Sequence, residues 1–168
     1  PAAACMSDPD FARWVENNTH PHRAPGYASV SISLKPVGGA PGDASAEQMD
    51  VIADLADEYS DSELRVSHEQ NLVLPHVRIV HLQAVHAALV ASGLATSNIG
   101  AITGMICCPG LDFCALATAR SIPLPPELPR PFAPPDPQQG AGPPTHKHPG
   151  LLHARRTPQV RHQRLLAV

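Results

Sequence analysis

The sequence predicts an α+β fold, an antiparallel sheet with helices on one face, and three observations carry the prediction. Apolar and small polar residues alternate from residue 28 to 35, two stretches from 49 to 59 and from 82 to 90 repeat at helical spacing, and short apolar runs separate and follow them. In order these read strand, helix, strand, strand, helix, strand, which is a split βαβ arrangement.

Residues 1–26 read as a loop-rich segment, with a short helix over Pro9 to Asn17 that includes Trp14. His20-Pro21-His22 follows, and its two histidines are either one part of a metal site or a polar loop; no other ligand-type cluster accompanies them, which favours the loop. From residue 27 to 98 the pattern is that of a ferredoxin-like split βαβ unit. Ala28, Val30, Ile32 and Leu34 alternate with Ser29, Ser31, Ser33 and Lys35, as in a strand with one buried face. Pro36 to Gly42 breaks it. Ser45 and Gln48 have the form of a capping box, after which Met49, Ile52, Ala53, Ala56 and Tyr59 form the stripe of a first helix. Leu64 to His68 and Leu72 to Leu74 read as two strands joined through Glu69-Gln70-Asn71, and Pro75 ends the run. A second helix carries Leu82, Val85, His86, Leu89 and Val90 on one face, with Gly93 as its C-cap. On that stripe His86 reads as a packed core histidine rather than a ligand. Ala101 to Ile106 supplies the fourth strand.

Composition shifts along the 168 residues. Residues 121–168 hold 12 of the 20 prolines and half of the 12 Lys and Arg, but two of the 15 acids, so the front carries −7 and the back +4. The segment 123–168, rich in Pro, Arg and His, has neither helical nor strand period and reads as an irregular tail, disordered or miscoded. Its basic charge lacks interleaved aromatics, which argues against nucleic acid. No run reaches the ~18 apolar residues of a membrane helix, and the N-terminus lacks the basic-then-apolar pattern of a signal peptide. Four cysteines, two of them adjacent, make no disulfide framework and point to a reducing compartment, with cytoplasm as the default. The first residue is Pro1, so a partial or processed sequence is expected.

Three of the cysteines lie in one stretch, Cys107-Cys108-Pro109-Gly110-Leu111-Asp112-Phe113-Cys114, which continues to Ala119-Arg120-Ser121-Ile122-Pro123. An apolar run delivers the thiols to what reads as a helix N-terminus, where backbone N–H groups and the helix dipole stabilise a thiolate. Five residues between Cys108 and Cys114 suit two ligands of one iron–sulfur cluster better than a zinc knuckle. By spacing alone the alternative is a pair of buried, inert cysteines.

The whole string resembles the first cluster motif of the sulfite and nitrite reductase hemoprotein family, C-P-G-x-D-F-C followed by A-R-S-I-P. The segment Arg65, Ser67, Gln70, Asn71, Leu72 is similar to its R-x-T/S-x-x-Q-N-L pattern. The resemblance implies a chain from the C-terminal half of such a protein, with residues 99–122 starting a domain that binds siroheme and a 4Fe-4S cluster. It implies Cys108 and Cys114 as cluster ligands, Cys107 as a bystander, and Arg65, Ser67, Gln70 and Asn71 against the siroheme, whose carboxylates suit an arginine fork. For Gln70 and Asn71 the alternative is a plain turn between strands. It further implies reduction of sulfite to sulfide or nitrite to ammonia, with electrons from ferredoxin or a flavoprotein reductase.

The sequence departs from the family where a second cysteine pair, G-C-x-x-x-C, is due. Lys147 and Gly150 persist there, but Leu151 and Arg155 stand at the two thiolate positions, and no cysteine follows Cys114. Two thiolates do not complete a cluster that needs four. Two rival readings follow: a non-catalytic ferredoxin-like fragment, or a zinc site built from Cys108, Cys114, His146 and His148. The residues that bind the oxyanion in the family lie largely in its other half, so no catalytic residue is assigned.

Overall fold

The computed structural model describes residues 8–36, 38–123 and 151–152. The first helix, α1 (Pro9–Asn18), starts at Asp8, whose carboxylate accepts from the backbone N–H groups of Asp10 at 3.0 Å and Phe11 at 3.1 Å, with Pro9 in the first turn. Phe11, Trp14 and Asn18 recur at helical spacing and are its buried residues. The chain passes directly into β1 (Thr19–Pro21), which pairs antiparallel with β2 (Tyr27–Ser33). Residues 19–21, read from the sequence as loop, are thus an edge strand.

The capping box forms as expected: Ser45 Oγ accepts from Gln48 N at 3.2 Å, and Gln48 Oε1 accepts from Ser45 N at 3.0 Å. It opens α2 (Ala46–Tyr59), which buries Ile52, Leu55 and Ala56, while Met49 is exposed. The expected stripe is therefore rotated toward Leu55. The hairpin of β3 (Arg65–Val66) and β4 (Asn71–Arg78) follows. Pro75 does not end β4. Opposite Ala28 to Val30 the partners run from Val77 to Leu74, one residue more on β4 than on β2, so Pro75 lies in a bulge where its missing N–H costs no ladder bond.

After a 3₁₀ turn, α3 (Leu82–Ala91) buries Leu82, Val85, His86 and Leu89 and leaves Val90 exposed, against the sequence reading. Its end is a Schellman motif. Gly93 has φ +72°, its N–H donates to Val90 O at 3.1 Å, and Leu94 N donates to Leu89 O at 2.7 Å.

The sheet order is β1-β2-β4-β3, antiparallel throughout. This is the ferredoxin-like α+β fold, with one substitution. The fourth position, beside β2, is taken by β1 from before it in the chain, not by Ala101 to Ile106. That run instead forms a 3₁₀ turn, Ile102–Gly104, and a short strand β5 (Ile106–Cys107), which pairs parallel with β6 (Leu151–Leu152) in a separate two-stranded sheet. α1 packs on β2, α2 on β4, and α3 against both helices. The core between them is centred on Trp14, Ile32, Ile52, Leu74, Val77 and Leu89. His86 is a core residue, its ring 5.2 Å from Phe11 and 4.9 Å from Trp14. Burial holds its pKa below the usual histidine value, and Asp8 and Asp10 partly offset this.

Candidate functional site

The hairpin turn and the cysteine stretch meet. Ser67 N donates to Asn71 O at 2.9 Å, and the Ser67 hydroxyl accepts from Glu69 N at 3.2 Å and Asn71 N at 3.3 Å, closing a tight loop. Gln70 stands in the left-handed region, φ +55°. Its side chain leaves the sheet and reaches β5, where Nε2 donates to Cys107 O at 2.7 Å and Oε1 accepts from Cys107 N at 2.9 Å.

Behind the turn lies Lys35. The sequence places it on the outward face of β2, with solvent as the expected neighbour, yet Ser31, Ser33 and Lys35 are buried too, Lys35 with 2% exposure. Its ammonium donates to Asn71 Oδ1 and, at 3.4 Å, to Gln70 O. Burial lowers its pKa to about 8, with Glu69 acting in the opposite sense. Asn98, also buried, donates to Lys35 O and to Thr103 O, both at 2.9 Å, tying the end of β2 to the loop that leads to the cysteines.

Beyond Cys107 the motif closes on itself. Ser121 Oγ donates to Cys108 O at 2.5 Å, Leu111 N donates to Ala119 O at 3.2 Å, and Arg120 Nε lies 3.4 Å from Asp112 Oδ1. Gly110 has φ +62°, and a Cβ there would stand 2.6 Å from Ser121 Oγ. The Gly, the Asp and the Arg-Ser of the motif are therefore what folds it back. This corrects the expected helix after Cys108. Gly110–Asp112 is a single 3₁₀ turn, Phe113 N and Cys114 N both donate to Gly110 O, and Ala117 N donates to Cys114 O, so no helical ladder or dipole faces the thiols.

Cys107 is buried, which raises its thiol pKa, whereas Cys108 and Cys114 are partly exposed; all three are free thiols. Of the residues singled out from sequence, Gln70 and Asn71 are brought together with Cys107, the residue before Cys108. Arg65 is not among them: it lies on edge strand β3 with its side chain 60% exposed, its Nε 2.5 Å from Glu63 Oε1. Hydrogen bonding to Arg65 holds the Glu63 carboxyl below its ordinary range. Sequence reasoning missed Lys35 and Asn98, and only the interruption of the alternating strand by Pro36 hints that residue 35 ends in the interior.

His20 and His22 are not a loose loop. His20 Nε2 lies 3.2 Å from Ser31 Oγ, and His22 Nε2 lies 3.1 Å from His76 Nδ1. Among the described residues no group of three or more His, Cys, Asp or Glu could hold a metal ion. The two cysteines of the motif are half of a four-thiolate set, so the described residues do not fit a complete iron–sulfur cluster. His146, Lys147, His148, Gly150 and Arg155 lie outside the described residues. No helix among the described residues is long and apolar enough to cross a membrane.

The fold and this junction define a ferredoxin-like α+β half-domain joined to a cysteine-bearing segment. Residues 20–92 match the family described as the nitrite/sulfite reductase ferredoxin-like half domain. Ferredoxin–nitrite reductase of Zea mays is 33% identical over 71% of this chain and 23% of its own length. The Synechococcus elongatus ferredoxin–nitrite reductase is 26% identical over 77% of this chain and 27% of its own. The solved structure of Mycobacterium tuberculosis NirA shares the fold with a TM-score of 0.56 at 23% identity, over 73% of this chain and 22% of that one. Residues 20–92 therefore belong to the nitrite/sulfite reductase ferredoxin-like half-domain family, and the chain spans about a quarter of the length of these relatives.

Proposed function

We propose that this chain supplies a ferredoxin-like half-domain and one cysteine pair of a ferredoxin-dependent nitrite reductase, an oxidoreductase of siroheme and 4Fe-4S type. In this reading Cys108 and Cys114 are two of the four cluster thiolates. Arg65 offers its exposed guanidinium to a siroheme carboxylate, while Ser67, Gln70 and Asn71 shape the turn behind it. The exposed side chains of Leu111, Phe113 and Leu116 beside the thiols suit an apolar macrocycle. Nitrite is preferred to sulfite, and ferredoxin to a flavoprotein, because the plant and cyanobacterial relatives are named ferredoxin–nitrite reductases.

The observation that carries the reading is the closed motif loop, which the half-domain's turn grips at Cys107. A second observation supports it. Leu151, where the resemblance places a thiolate, pairs in register with Ile106 of β5, two residues before Cys108. The same position favours a second reading, a non-catalytic fragment, because it holds leucine.

Anaerobic reconstitution of the full chain with ferrous iron and sulfide tests both. The Leu151→Cys/Arg155→Cys variant gains acid-labile sulfide and visible absorption that the natural chain lacks, and Cys108→Ser or Cys114→Ser abolishes the gain. Absence of any gain, or a gain indifferent to Cys108 and Cys114, overturns the first reading and leaves the second.

A further inference from the structure

Gln70 makes contacts that a turn residue does not need. A hairpin loop is satisfied by its own backbone and by Ser67, yet Gln70 holds a left-handed conformation that a non-glycine residue adopts rarely. That conformation sends the amide toward β5, where it meets both backbone polar atoms of Cys107. A carboxamide carries the donor and acceptor of a peptide group, so Gln70 stands in for a neighbouring strand along one residue of β5.

Gln70 is closely approached on one side and held on the other. Gly42, φ +91°, leaves no room for a Cβ without crowding, since one would lie 3.3 Å from Gln70 Cδ. Lys35 takes the Gln70 carbonyl and the Asn71 side chain from behind. In extended backbone successive side chains alternate in direction, so clamping the peptide groups of residue 107 sets where residue 108 points. Cys107 is accordingly buried, and Cys108 partly exposed.

We propose that Gln70 is a positioning residue for Cys108: its two-point pairing with the Cys107 backbone fixes the direction of the Cys108 thiol, with Lys35 holding the clamp in place and Gly42 leaving room for it. The inference deepens the reading of Cys108 as a cluster ligand and rests on it for its purpose, but not for its geometry.

Alkylation of the full chain with iodoacetamide, resolved cysteine by cysteine by mass spectrometry, reads the clamp without any cofactor. Gln70→Met keeps the length of the side chain and removes both hydrogen bonds. Gln70→Gly removes them while relieving the left-handed backbone, so the turn itself is eased. Both variants expose Cys107, with its alkylation about tenfold faster or more once the two bonds from Gln70 to its backbone are gone. Amide exchange along β2 and β4 stays slow in Gln70→Gly, which shows that the half-domain is intact. Unchanged protection of Cys107 in both variants overturns the proposal, because a residue serving only the turn would tolerate glycine with no effect 37 positions away.

A second arm separates this proposal from the cluster reading. In the Leu151→Cys/Arg155→Cys background Gln70→Met lowers iron and sulfide uptake. Loss of Cys107 protection with no uptake in any variant upholds the clamp's geometry and overturns the ligand role of Cys108.

Discussion

The ammonium of Lys35, just past the end of β2, donates to the side-chain oxygen of Asn71 at the start of β4, and both residues are buried. The pairing sits two residues past the last pair of the ladder, Ser33 with Asn71. It places a cation where the alternating pattern points to water.

A pH dependence follows. The folded-state pKa of Lys35, about 8, lies below the ordinary value of 10.5, so between these values the unfolded chain binds more protons than the folded one. The contribution of Lys35 to stability is therefore least favourable below about pH 8 and improves as pH rises toward 10. Urea midpoints measured from pH 7.5 to 9.5 rise in the natural chain relative to Lys35→Gln; parallel curves for the two proteins contradict the assignment.

His86 acts in the same sense at lower pH. Its pKa is lowered by burial against Phe11 and Trp14, so the unfolded chain takes up a proton first as pH falls. Stability from this group is complete above about pH 7 and declines below the ordinary histidine value of 6.5. His86→Leu flattens the loss between pH 7 and 5 in urea titrations followed by circular dichroism.

The capping box of α2 has a size. Ser45→Ala removes the acceptor for Gln48 N and costs about 1 kcal/mol of unfolding free energy. Gln48 also donates to Ser92 O at 3.0 Å, joining α2 to the end of α3, so Gln48→Ala costs no less than Ser45→Ala. Chemical denaturation of the two variants checks the order.

Core and edge differ sharply. Leu74 is fully buried and its truncation to alanine costs roughly 2–5 kcal/mol, a large part of the ~5–15 kcal/mol typical of a domain. Val66, on edge strand β3 and 80% exposed, tolerates threonine within about 0.5 kcal/mol. Equal losses at the two positions would mean that the β3 edge is covered in solution.

Gly110→Ala probes the motif loop alone. The new methyl group would meet Ser121 Oγ and, at 2.9 Å, Ala119 O, on a backbone whose φ of +62° already disfavours a side chain. The loop opens, and Cys114 alkylation accelerates several-fold relative to the natural chain, while the denaturation midpoint of the half-domain is unchanged. A matching drop in that midpoint would show the loop and half-domain to be one cooperative unit.

Much of this fold is legible because its causes are local. The Ser45–Gln48 box, the glycine that ends α3, the alternation of Val30 and Ile32, and the spacing of Ile52 and Ala56 each act within a few residues, where dihedral preference and side-chain period decide the outcome. The cysteine motif is legible as a string, but not its shape: where the sequence reads as helix, Gly110, Asp112, Arg120 and Ser121 close a loop among themselves.

Tertiary structure alone decided the rest. Thr19–Pro21 carries no strand pattern, and it joins the sheet because β2 has an open row of backbone donors and acceptors that any passing chain satisfies, whatever its side chains. The apolar run from 101 to 106 promised a strand, but apolar character records a need for burial, not a partner. Likewise no period reveals that Lys35 turns inward or that Gln70 reaches Cys107, since both depend on groups about 36 residues apart in the chain that meet only once the sheet has formed.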